Sequence, residues 1–118
     1  MKITFTDLKQ TIEKLAEESP DCTYKNSETC FCSYYKGTCS NGSSGCIVGQ
    51  ACRILGFSEE DLVGMDRHGA FMEVAKSVEF KKRFSLSSKE IDWVSVIQQE
   101  QDCPNSWSKA VLAANQGS

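Results

Sequence analysis

After Asn41 the apolar residues of this chain recur at intervals of three and four in short blocks, each opened by a small polar residue and closed by glycine, proline or a charged run. That spacing turns one face of a helix toward a core and the other toward water, and the punctuation keeps every helix short. Ile47, Val48, Ala51, Cys52, Ile54 and Leu55 make the best-defined stripe, entered from the breaker cluster Asn41-Gly42-Ser43-Ser44-Gly45 and left through Gly56, which suits a left-handed cap. Ser58 with Glu59, Glu60 and Asp61 opens a short helix through Val63 that Gly64 closes. Phe71, Val74, Ala75 and Val78 resume the pattern until Lys81, Lys82 and Arg83 end it. Ser87 and Glu90 form a capping box ahead of Ile91, Trp93, Val94, Val96 and Ile97, and Ser106 caps a final stripe of Trp107, Ala110, Val111 and Ala114.

Before Asn41, Thr4 and Asp7 start a helix whose stripe is Leu8, Ile12, Leu15 and Ala16 and which stops at Ser19-Pro20. Asp21 to Glu28 is polar and turn-prone and reads as a loop. Cys30 to Tyr35 alternates and is rich in aromatics, Lys36-Gly37 offers a turn, and Thr38-Cys39-Ser40 supplies a short return strand. The expectation is a mainly α (α+β) fold of about five helices, with one short β-hairpin between the first and second long helices. The 118 residues suit a single globular domain over residues 1–116, with Gly117-Ser118 a tail outside it of the kind cloning leaves behind.

No apolar run is long enough to span a bilayer, and the N-terminus lacks the apolar stretch of a secretory signal, so the chain is expected to act in the cytoplasm. A net charge of −3 gives little electrostatic reason to bind nucleic acid. In a reducing compartment the seven cysteines read as free thiols, metal ligands or a nucleophile rather than a disulfide framework. Cys30, Cys32, Cys39 and Cys46 are the candidate zinc ligands, although their spacing does not match the paired C-x2-C knuckles of common zinc folds. No cofactor is expected.

The stretch from Gly42 to Gln50 feeds a glycine- and serine-rich loop into a helix start, where unpaired amides and the helix dipole make a natural seat for phosphate or carboxylate. The plainer reading is that the glycines merely turn the chain. The candidate ligand site gathers Ser43, Ser44, Gly45 and Cys46 for an anion, with Arg53 and Arg67 supplying charge. Tyr34 or Trp107 would stack a base, and Gln98 and Asp102, with Gln99 beside them, would read its edge. For Trp93 and Trp107 the competing reading is core packing. A second chemistry would pair Cys46, whose thiol the same dipole would activate, with His68, the one histidine, oriented by Asp66 or Asn105 as in a cysteine hydrolase. Against it stands the habit of buried cysteine to act as a small hydrophobe.

Three of these patches together resemble a loosely defined family of small bacteriophage and actinobacterial proteins of mostly unknown function. The resemblance runs through Cys32-Ser33-Tyr34-Tyr35, through Gly45 to Ala51 with Leu55-Gly56, and through Ile97 to Asp102 with Trp107 to Val111. Thr4 to Leu8 and Pro20-Asp21 also look similar. Cys22, Cys30, Cys39, Cys103 and His68 are not part of it, so it supports neither zinc nor the Cys46-His68 pair. It implies a non-enzymatic viral accessory protein in the cytoplasm of a bacterial host, one that counters defence by sequestering a nucleotide-like signal or by masking a host effector. A shallow ligand site on so small a domain would be completed across subunits, so a homo-oligomer is expected.

Overall fold

The first helix, α1 (Phe5–Glu18), begins where Thr4 Oγ1 accepts the Asp7 amide at 3.2 Å and ends at Ser19, just before Pro20. The computed structural model that shows this describes residues 2–25, 33–35, 38–102 and 105–117, leaving out the side chains of Lys25, Thr38 and Asp102. Leu8, Ile12 and Ala16 are buried as the spacing predicts. Phe5 meets Trp93 edge to face at 5.5 Å, which fixes the start of α1 against the later α5 (Ser88–Asp102). Before α1, β1 (Ile3–Thr4) pairs in parallel with β4 (Phe84–Ser85), Ile3 opposite Phe84, so the N-terminus is strapped to the segment that leads into α5.

A short antiparallel pair does lie between the first two helices, but its strands are β2 (Tyr24–Lys25) and β3 (Thr38–Cys39), with Tyr24 opposite Cys39. The expected first strand, Cys30 to Tyr35, is not it. Cys30 to Cys32 fall outside the described residues, and Ser33 to Tyr35 run as a bend. The alternating aromatic pattern misled because Tyr34 is fully buried for a different reason, its hydroxyl and amide both being drawn into the core.

The remaining helices are α2 (Ile47–Ile54), α3 (Glu59–His68), α4 (Phe71–Lys76), α5 and α6 (Trp107–Gln116). Helix α3 does not stop at Gly64. There the ring of Phe80 and the carboxylate of Glu79 press where a β-carbon would be, so the glycine serves close packing, and the helix ends instead at Gly69, with φ of 80°. Two stripe residues also face outward: Ile54 is 62% exposed and Val78, beyond the end of α4, is 91% exposed. Helix α5 packs along α6 and also touches α2 and α4, which makes it the central element. Among the described residues, no helix is long and apolar enough to cross a membrane.

The capping box at Ser58 has a further use. Asp61, which receives the Ser58 amide, also holds Arg83 through two bonds of 2.9 and 3.2 Å, and the guanidinium lies 4.3 Å from the Phe57 ring centre. The Arg83 contact holds the Asp61 carboxyl at about 2, below its ordinary 3.8. Since the folded state favours the charged form, the stability from this pair is complete above pH 3.8 and is lost as pH falls through about 2. Urea midpoints measured over that range should fall more steeply for the native chain than for Asp61→Asn.

Candidate functional site

The helix start singled out by sequence is closed from inside. Cys46 is the N-cap of α2, its amide donating to Ser33 O at 2.9 Å and its Sγ accepting the Gly49 amide at 3.4 Å. The Ile47 amide, next in line, donates at 3.1 Å to Oε1 of Gln101, which also accepts the indole N–H of Trp107 at 2.9 Å. Gln101 and Trp107 are both buried. A β-carbon on Gly45 would lie 2.5 Å from Tyr34 O, and one on Gly49 would lie 2.1 Å from the same atom. Residues 33–35 are therefore laid directly on this turn. The expected phosphate seat holds a neutral amide oxygen at Ile47 and the backbone of Tyr34 against Gly45 and Gly49.

The same arrangement recurs one turn earlier on α5. Gln98 Oε1 accepts the Phe71 amide, which starts α4, at 2.7 Å, while its Nε2 donates to the Tyr34 hydroxyl at 2.6 Å. Tyr34 in turn donates to Gly69 O at 2.6 Å, and Asp66 takes the Tyr34 amide at 2.7 Å and the Ser33 hydroxyl at 2.9 Å. Residues three apart share a helix face, so Gln98 and Gln101 point the same way and each supplies the first-turn acceptor of a neighbouring helix. A signal for this lay in the sequence: Val94, Gln98 and Gln101 continue the four-and-three spacing of the buried stripe, placing two amides where the pattern wants apolar side chains.

The other candidate site residues are dispersed. Ser43 hydrogen-bonds Asn41 and accepts Gln50 Nε2 at 2.9 Å, while Ser44 is exposed on the loop. Arg53 sits in the last turn of α2, about 10 Å along the helix from Cys46. It lies near Tyr35, whose hydroxyl donates to Glu59 and whose pKa is raised by that bond. Arg67 is exposed in the last turn of α3. Asp102 ends α5, its side chain outside the described residues. His68 Nε2 is 3.1 Å from Glu79 Oε2 and its ring stands edge-on to Phe80, whereas Cys46 is spent as a cap, so the proposed dyad is not assembled. The two orienting candidates are also engaged elsewhere, Asp66 with Ser33 and Tyr34 and Asn105 with Glu100.

Of the candidate zinc ligands, Cys30 and Cys32 lie outside the described residues, and Cys39 and Cys46 are buried thiols, as are Cys22 and Cys52. Among the described residues no group of three or more metal-ligating side chains could hold an ion. Burial pushes the Cys39 thiol up to about 12 from 9.0 and raises Cys52 as well. The fold thus favours neutral thiols. The stability that the neutral Cys39 thiol contributes is intact below pH 9.0 and declines as pH climbs toward about 12, because in that range the unfolded chain ionises first. A thiol reagent at about pH 8 should leave Cys22, Cys39, Cys46 and Cys52 unlabelled in the native protein and label all four in denaturant, as read by peptide mass.

One open groove of about 570 Å³ runs beside the end of α3 and along α4, lined by His68, Glu73, Lys76, Ser77, Val78 and Glu79. Met72, on the same helix, is partly exposed. Sequence reasoning placed Val78 in the core and so missed this face. No protein-family model, curated protein or solved structure matches the chain.

Proposed function

We propose that this chain is a non-enzymatic accessory protein that works by docking on a protein partner, with the groove along α4 as its contact face. The reading rests on one contrast. The residues suited to small-molecule chemistry, Tyr34, Cys46, Gln98, Gln101 and Trp107, are consumed by hydrogen bonds inside the fold, while Val78 stands 91% exposed among charged side chains in the groove. An apolar residue ringed by mixed charge is the pattern of a protein contact with a polar rim. The resemblance to bacteriophage proteins supports a viral role, with a host effector in the bacterial cytoplasm as the partner. Of the two anti-defence routes it implies, masking an effector needs a surface, and sequestering a nucleotide needs a hollow.

Two measurements test this. Tagged protein incubated with bacterial lysate should retain a partner that Val78→Asp loses while keeping its melting temperature. Cyclic dinucleotides and cyclic ADP-ribose isomers should leave that temperature unmoved. A ligand at a hundred times its Kd would add about 2.7 kcal/mol, a rise of several degrees, and that result would replace docking with sequestration.

A further inference from the structure

Asn41-Gly42 pairs an asparagine with the residue that least hinders attack by its own backbone nitrogen, and both residues are exposed. Gly42 holds φ of 88°, and a β-carbon placed on it would meet nothing within 4 Å, so the turn is open on its outer side. The Asn41 side chain is not loose. Its Oδ1 accepts both the Ser43 amide, at 3.0 Å, and the Ser43 hydroxyl, and its Nδ2 donates to Ser19 Oγ at 3.1 Å. Two donors on one amide oxygen draw electron density from Cγ and stand where negative charge would develop if that carbon were attacked.

We propose that Asn41 is a self-modifying site, converting to aspartate and isoaspartate through a succinimide with assistance from Ser43. The turn bond from Gly42 N to Cys39 O, 2.9 Å, opens first. This is a local event at the end of a two-residue ladder. Gly42 N then forms a bond to Asn41 Cγ, giving up its proton to water, and the electron pair of the carbonyl moves onto Oδ1 beneath the two Ser43 donors. Collapse of that intermediate breaks Cγ–Nδ2 and releases ammonia, the departing nitrogen taking up a proton. Water opens the ring at either carbonyl, yielding aspartate or isoaspartate, so the net change is NH2 for OH with water the only co-reactant. The product carries one more negative charge and no longer donates to Ser19. The isoaspartate form also lengthens the backbone of the loop that delivers Gly45 and Cys46 to α2.

Incubating the intact chain at neutral pH and following Asn41, Asn105 and Asn115 by peptide mass tests the proposal. Asn41 should convert about tenfold faster than Asn105 or Asn115, and Ser43→Ala should slow it about tenfold, equivalent to about 1.4 kcal/mol of lost transition-state stabilisation. Conversion at Asn41 no faster than at the other two would overturn the site, and an unchanged or faster rate in Ser43→Ala would overturn the assistance.

Discussion

Replacing Gln101 with leucine is expected to lower folding stability by about 2–4 kcal/mol, which for a domain of this size is a fall in Tm of about 10–15 °C. The cost has a specific origin. Leucine fills much the same space, but it strands the Ile47 amide and the Trp107 indole N–H, two buried donors that share the one Gln101 oxygen. Each orphaned donor costs about 1–3 kcal/mol. Part of that is offset because Gln101 Nε2 itself has no partner among the described residues and is removed with the substitution. Trp107→Phe deletes one of the two donors, so its effect and that of Gln101→Leu should not add. Urea denaturation of the double variant should show about 1–2 kcal/mol of coupling. Additive losses would mean that shape alone matters at this position.

Gly49→Ala should be the most damaging single methyl group, at about 3–5 kcal/mol. In an ordinary helix interior the same change adds about 0.5–1 kcal/mol of stability. Here the sign is reversed by contact: the new carbon would lie 2.1 Å from Tyr34 O and 2.7 Å from both C and Cα of the same residue. Those are backbone atoms, which cannot swing aside. Pushing residues 33–35 off α2 would also pull the Tyr34 hydroxyl from Gln98 and Gly69 and its amide from Asp66. Gly64→Ala is the control, since the nearest obstacle there, 2.9 Å away, is a Glu79 carboxylate oxygen at the end of a flexible chain. Its cost should stay below that of Gly49→Ala, at about 1–3 kcal/mol, because the buried Phe80 ring 3.1 Å away must also shift while better helix propensity offsets part of the loss. Circular dichroism melts of the two variants would distinguish them.

The helices were legible because caps and stripes are local. Thr4, Ser58, Ser87 and Ser106 each cap where the sequence pattern places them. The strands were less so, since Tyr24–Lys25 gains its partner from residues more than ten positions away and carries no alternation of its own. The continuation of α3 past Gly64 escaped for the same reason, since it depends on where Phe80 comes to rest. The candidate ligand site shows the limit most clearly. A glycine-rich entry to a helix reads as an anion seat until a side chain 54 residues later fills it, and Gln101 does so. Tyr34, Gly45, Gly49, Gln98, Gln101 and Trp107 converge in this one interior network, and their contacts lock the fold.

Amide hydrogen exchange at Ile47 and Phe71 reports whether these two helix starts are held from inside. First-turn amides lack partners within their own helix and ordinarily exchange fast. Here both should be as slow as the buried centre of α5, because Gln101 and Gln98 hold them in place. Exchange at Ile47 and Phe71 as rapid as at Glu59 and Glu60 in the exposed first turn of α3 would contradict the account and reopen the helix start as a seat for a ligand.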